Sequence, residues 1–293
     1  MATNLVVDVG GLSYWKLYSV ANKEHVKSYG QTKETLLALE NESGFKTWQH
    51  EFVMQIFEWI SQYNPDKLTL ACDGNKLWRR DIYPEYKANR KVQKATIPIN
   101  WNLFYATRDK LCLFLGKMLP IKTMLIDSAE ADDVVAIITK RTDDKILAFS
   151  EDHDWYQLFQ YNNYSQYKLK TGEEVIGVDP KMVLNMKILT GDRGDNIPNI
   201  RPKMGEVSAR KALVECDNNV YNYACKMNLL ENYMFNTRLI DFKYIPDNVE
   251  EEILNLYNKP IIEKINHMEL MNFLQESYEE FTNLMNKSIF AGK

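Results

Sequence analysis

The sequence predicts an α/β fold, with a central, mostly parallel sheet flanked by helices, from two observations. Short apolar runs closed by an acid recur along the first part of the chain, and stretches of helical periodicity separate them. Strands alternating with helices form parallel ladders whose crossover helices cover both faces. The first run, Leu5-Val6-Val7-Asp8-Val9, ends at Gly10-Gly11 and reads as a buried strand and a turn. Phe45, Trp48, Phe52, Ile56 and Trp59-Ile60 recur at helical spacing over 45–63, before a second strand, Leu68-Thr69-Leu70-Ala71-Cys72, closed by Asp73-Gly74. Residues 103–119 predict a helix, Thr123–Ile126 a third strand, Ala131–Lys140 a helix and Ile146–Phe149 a fourth strand. After residue 172 the pattern turns helical. Asp179-Pro180 starts one helix as an N-cap with proline in the first turn, and residues 208–235 and 249–286 are helix-rich and polar-faced. The chain therefore divides into an α/β part, 1–178, and a helical part, 179–293, packed on it without a flexible linker.

Composition narrows the function classes. A chain of 293 residues with 45% hydrophobic content can bury a full core. Its formal charge of −4 offers no global attraction to a polyanion, so any such binding is local. The four cysteines form no Cys-x-x-Cys pair, which argues against a zinc site or a disulfide scaffold and fits a reducing compartment. The N-terminus lacks the basic region of a signal peptide, and no apolar run approaches the ~20 residues that span a bilayer. A soluble, cytoplasmic protein is expected.

The acids carry the chemistry. Asp8, Asp73 and Asp152 each follow a predicted strand, and Glu130, Asp132 and Asp133 open the helix after another. Ligands of open α/β sheets bind beyond the carboxyl ends of the strands, so four elements bring carboxylates to one edge. Asp154 follows nearby, and Gly191-Asp192-Arg193-Gly194-Asp195-Asn196 supplies Asp192 and Asp195. Singly, each has a plainer role. Asp8 and Asp73 suit turns before glycine, Asp132 and Asp133 complement a helix dipole, and Asp192 and Asp195 suit loops. Nine converging acids instead indicate a site that gathers like charges around divalent cations. Two hard cations roughly 3.5–4 Å apart activate a water and stabilise the leaving oxygen in phosphodiester hydrolysis, which makes a magnesium-dependent nuclease the leading reading. His153 alternates away from its acidic neighbours and reads as a non-ligand; Trp155 reads as core.

A basic segment complements this edge. Lys76, Arg79, Arg80, Lys87, Arg90, Lys91 and Lys94 face only Asp81 and Glu85, a local charge of +5, with Trp78, Tyr83 and Tyr86 interleaved. Cations grip phosphates and aromatic rings stack on unpaired bases, as in single-strand binding. The alternative is a solvated loop. Position directly after Asp73 favours function. Arg201, Lys203, Arg210 and Lys211 form a weaker patch suited to duplex backbone.

Taken together, Asp8, Tyr83-Pro84-Glu85-Tyr86-Lys87-Ala88-Asn89-Arg90, Glu130-Ala131-Asp132-Asp133, Ser150-Glu151-Asp152-His153-Asp154 and Gly191–Asn196 resemble the 5′-nuclease, or flap endonuclease, superfamily, in family order. Trp78-Arg79-Arg80-Asp81 and the run from Leu239 to Asn248 are similar to its T-even-type bacteriophage RNase H subgroup. The resemblance implies a 5′→3′ exonuclease and flap endonuclease that removes RNA primers and 5′ flaps during DNA replication. It implies two magnesium ions, with manganese able to substitute. Asp8, Asp73, Glu130 and Asp132 would hold the first, with Asp133 close by, and Asp152, Asp154, Asp192 and Asp195 the second. Lys87 and Arg90 match basic residues at the foot of a helical arch, here about 76–105, that polarise the scissile phosphate; Tyr86 would stack near the 5′ nucleotide. Asp132, Lys87 and Arg90 are thus the catalytic candidates. One departure stands out: the family's glycine-rich helix–hairpin–helix turn corresponds to Pro202–Ala209, with Lys203 in place of a glycine.

Two other readings share these residues. An inactive nucleic-acid-binding replication factor would be signalled by missing acids, and all nine are present. A PIN-like ribonuclease shares the acidic edge but has no need of the basic segment or the long helical part. The expected partners are DNA and RNA–DNA duplexes with 5′ ends or flaps, with a sliding clamp or single-strand-binding protein as candidate protein partners. No membrane partner is expected, and a monomer is. If phage-encoded, the chain would act in the cytoplasm of an infected bacterium.

Overall fold

The computed structural model describes residues 1–28, 44–90 and 99–261. Its centre is a five-stranded parallel sheet of order β3-β2-β1-β4-β5. The strands are β1 (Thr3–Asp8), β2 (Lys67–Cys72), β3 (Ile121–Leu125), β4 (Lys145–Phe149) and β5 (Tyr164–Tyr167). The central β1 is buried on both faces, hence its continuous apolar run rather than an alternation. The chain builds outward from β1 to β3 and then returns to β4 on the other side of β1. Asp8 lies opposite Ala71 and Val7 opposite Phe149. Strand order thus reverses beside Asp8, the usual seat of a cleft in such sheets.

One face is covered by α1 (Val9–Ser28), α2 (Gly44–Tyr63) and α4 (Trp101–Met118), with the single turn α3 (Arg79–Ile82) between them in sequence. Leu12, Phe45, Trp48, Phe52 and Phe104 pack there with Leu5, Val7 and Leu70. The other face carries α5 (Ala131–Arg141), whose Val134 and Ile138 meet Val6, Ala71 and Ala148. A third core joins α6 (Pro180–Thr190), α7 (Glu206–Glu215), α8 (Val220–Met227) and α9 (Leu230–Ile240) through Ile188, Leu189, Leu213 and Tyr223. Asp179 caps α6 as expected, accepting from the Met182 N–H at 3.0 Å.

Three features depart from the sequence reading. Gly10-Gly11 open α1 instead of forming a turn. A Cβ on Gly11 would stand 2.7 Å from Asp8 Oδ2, so the helix starts hard against that carboxylate where only glycine fits. β5 escapes the apolar-run criterion because Tyr164-Ser165-Gln166-Tyr167 is an edge strand, with β4 as its strand neighbour among the described residues. Finally, α10 (Asp247–Tyr257) leaves the helical part and packs Val249 and Ile253 on the α5 side of the sheet. Tyr257 Oη bonds Asn4 and Asp144, and Glu250 pairs with Lys140 and Arg141. Part of the helix-rich run predicted over 249–286 lies outside the described residues.

Candidate active site

The acids gather around one cavity of about 910 Å³, lined by Asp8, Asp73, Asp132, Asp152, Asp154 and Asp192 together with Lys87 and Arg90. Asp8, at the end of β1, accepts from the Gly11 N–H at 2.8 Å and the Ser150 hydroxyl at 2.7 Å. Asp73 accepts from the Ala131 N–H at 3.0 Å, which ties the end of β2 to the start of α5. A Cβ on Gly10 would meet Asp8 Oδ1 at 3.3 Å and Asp73 Oδ2 at 3.4 Å, so these carboxylates flank the glycine. Asp132 is oriented by the indole N–H of buried Trp155 at 2.7 Å. Asp152 accepts from the Asp154 N–H at 2.8 Å. Asp192 accepts from the N–H groups of Gly194 and Asp195 at 2.6 and 3.1 Å.

Two tight groups result. Oxygens of Asp132, Asp152 and Asp154 lie within 4.8 Å of one another, as do those of Asp154, Asp192 and Asp195, so Asp154 belongs to both. Crowding is written into their proton affinities. Burial, and then the charge of Asp73, push Asp8 up to about 6 against the Gly11 and Ser150 hydrogen bonds. Desolvation within the cleft and the neighbouring Asp154 push Asp152 up to about 7, although its side chain keeps solvent contact. Burial and Asp152 push Asp132 up as well. An all-oxygen set of mutually repelling carboxylates suits a hard divalent cation, which would relieve that repulsion.

Glu130 and Asp133 take different places. Glu130 is enclosed, paired with Arg79 at 2.7 Å and with Lys87, and receives the Tyr86 hydroxyl at 3.0 Å. Burial would raise its carboxyl, but Lys87 and Arg79 outweigh that and hold it at about 2. Asp133, fully buried, points away from the cavity to Arg79 and the Trp78 indole and accepts the Glu130 N–H at 3.0 Å as a capping box. Asp133, expected close to a metal, does not line the cavity.

The basic segment divides too. Lys87 takes a left-handed backbone conformation, φ +58°, and its N–H donates to the Asp195 carbonyl at 2.9 Å. Arg90 reaches Asp195 Oδ1 at 2.6 Å. Asn89 bonds the Arg193 carbonyl, and Asn196 bonds that of Glu85, so residues 85–90 are stapled to the 193–196 loop. Arg79 and Tyr86, expected to contact nucleic acid, are each 3% exposed. Arg79 bridges Glu130, Asp133 and the Leu239 carbonyl, and the Tyr86 hydroxyl spans Glu130 and Asp195. Both serve the acids from beneath. Lys76 and Arg80 are exposed, and Lys91 and Lys94 lie outside the described residues.

Lys203, Arg210 and Lys211 are exposed, and Arg210 lines the cavity. Arg201 is turned to the Tyr223 hydroxyl at 2.9 Å. Lys203 occupies the left-handed region, φ +61°, so the turn before α7 keeps the conformation a glycine would favour. His153 joins neither carboxylate group and stacks on Tyr156. Three contributors carry no sequence pattern of their own: Ser150, the Trp155 indole, and Lys187 of α6, which pairs with Asp154 and, at 2.7 Å, with Asp192.

The family model for the 5′-3′ exonuclease N-terminal resolvase-like domain matches residues 19–191. Ribonuclease H of Enterobacteria phage T4 is 33% identical over 219 residues, 66% of this chain and 70% of that protein. The flap endonuclease Xni of Shewanella sp. (strain MR-4) is 30% identical over 149 residues, which cover 47% of this chain and 54% of the relative. A solved bacteriophage T5 flap endonuclease, a pseudo-enzyme-product complex with DNA and metal ions, is similar with a TM-score of 0.61 and 18% identity. That likeness covers 96% of this chain and 98% of the other, and it is a likeness of fold. With more than half of its length inside that family model, the chain belongs to the 5′-3′ exonuclease family of the 5′-nuclease superfamily.

Proposed function

We propose that this chain is a magnesium-dependent 5′→3′ exonuclease and flap endonuclease that removes RNA primers and displaced 5′ ends during DNA replication. The observation that carries this reading is the pair of carboxylate groups sharing Asp154 in a cavity that Lys87 and Arg90 also line. The names of the relatives, ribonuclease H and flap endonuclease, support both substrate classes. Asp8, Asp73, Glu130 and Asp132 serve a first ion, and Asp152, Asp154, Asp192 and Asp195 a second. When bound, the two ions supply an activated water and neutralise charge on the leaving oxygen. The residues of the chain do the rest. Lys87 and Arg90 hold the scissile phosphate against the acidic edge. Ser150 and Trp155 keep Asp8 and Asp132 oriented toward it. Exposed Lys76 and Arg80 attract the single strand, and Lys203, Arg210 and Lys211 position the duplex through its phosphates.

The test is cleavage of a 5′-labelled RNA–DNA/DNA primer substrate and of a 5′-flap duplex in magnesium, comparing wild type with Asp132→Asn. Wild type should release short 5′ products, and the variant should lose at least about 10²-fold in rate while retaining substrate binding. Tight binding by wild type without cleavage in magnesium or manganese would overturn the reading in favour of a binding factor.

A further inference from the structure

Both carboxylate groups invite a cation, but the protein treats them unequally. Asp132 and Asp152 accept hydrogen bonds from neutral donors, the Trp155 indole and a backbone N–H, and the third member of their group, Asp154, is the one shared with the other. The group of Asp154, Asp192 and Asp195 is held by cations of the protein itself. The Lys187 ammonium pairs with Asp154 and lies 2.7 Å from Asp192 Oδ2, and the Arg90 guanidinium lies 2.6 Å from Asp195 Oδ1. Lys187 is tethered from below. Its side chain is 19% exposed and lines the cavity from α6, which packs on the 3₁₀ helix Asp154–Gln160. Its head lines the cavity and has open space into which to swing. A compact point charge on a flexible stem can exchange for a metal ion more readily than a bidentate guanidinium.

We propose that Lys187 is an exchangeable counter-cation of the second carboxylate group, so that a divalent ion enters there only by displacing its ammonium. This rests on the two-ion reading above and adds an order to it. The ion served by Asp8, Asp73 and Asp132 binds first and tightly, and the ion beside Asp154 and Asp192 second and weakly. The displaced ammonium, swung into the cavity, is available to a substrate phosphate. Phosphate and second ion therefore favour one another, because each takes one half of an existing ion pair.

The test is a Mn2+ titration, followed by electron paramagnetic resonance and calorimetry, of wild type, Lys187→Met and Lys187→Arg without nucleic acid. Wild type should show one tight and one weak Mn2+ site. Lys187→Met, which keeps the stem and removes the charge, should tighten the weak site about tenfold, and Lys187→Arg should leave it weak. Thermal melting supplies an independent readout. In chelator Lys187→Met should melt below wild type, since Asp154 and Asp192 then repel, and saturating Mn2+ should raise its melting temperature more than that of wild type. Two Mn2+ sites in wild type with the weak one unchanged in Lys187→Met would overturn this proposal and leave the two-ion reading standing. One site or none in every protein would overturn the two-ion reading and this proposal with it.

Discussion

Asp8 and Asp152 hold their protons more tightly in the folded chain than carboxyl groups do in water, at about 6 and about 7. A raised acid stabilises the fold fully below its unfolded value and loses that contribution as pH rises through its folded value. Glu130, at about 2, and the lowered Asp192 act in the opposite sense, and their contribution is lost only on acidification below about pH 4. The interval from about pH 4 to 7 therefore belongs to Asp8 and Asp152. In chelator, the melting temperature should fall across that interval as the two carboxylates ionise against their neighbours. Magnesium should raise it more at the alkaline end than at the acidic end. Melting curves in chelator and in magnesium decide this, and a flat profile in chelator would contradict it. At this scale the acids were legible because strand-end position shows in sequence. The burial of Arg79 and Tyr86 was not legible, because a basic aromatic run displays charge and not burial. Lys187 was invisible, since a single lysine in a helix has no pattern to betray its partners.

Among the elements, α3 and the turns that follow it couple the sheet to the helical part. Arg79 lies between two buried carboxylates and the last turn of α9. Arg79→Ala leaves Glu130 and Asp133 without that cation and should cost about 3–5 kcal/mol of stability. Arg80→Ala, one residue on and exposed, should stay within about 0.5 kcal/mol. Urea unfolding midpoints of the two variants make the comparison, and equal losses would show that Arg79 is no keystone. Strands β1, β2 and β4 were legible because strands buried in a parallel sheet need unbroken apolar runs, whereas the edge strand β3, Ile121-Lys122-Thr123-Met124-Leu125, showed only its apolar end. The start of α1 was misread because its two glycines serve space beside Asp8 rather than a turn. The turn holding Lys203 forms without its glycine, with lysine in a conformation that costs an L-residue about 1–2 kcal/mol.

For the molecule as a whole, the acidic edge follows from topology: strand order reverses beside β1, and Asp8, Asp73 and Asp152 follow three neighbouring strands. That much was readable from alternating patterns, and the resemblance to the 5′-nuclease superfamily supplied the rest. The return of α10 to the sheet was not readable, because an amphipathic helix does not announce which surface it covers. Fully buried Ile253 makes that contact testable. Ile253→Ala should lower stability by about 2–4 kcal/mol, yet leave the metal dependence of cleavage unchanged at low temperature. Denaturation and cleavage assays on the same preparation separate the two effects, and a shifted metal requirement would refute the separation.

The same helix bears on how the protein is made. All five strands are specified by residue 167, and all nine candidate acids by residue 195. The apolar side of α5, however, is covered by Val249 and Ile253. A nascent chain on the ribosome thus carries these acids well before it can complete the core beneath them. Completion of that core waits until the α10 segment has been made, and a product terminated before it would carry the acids on an unfinished scaffold.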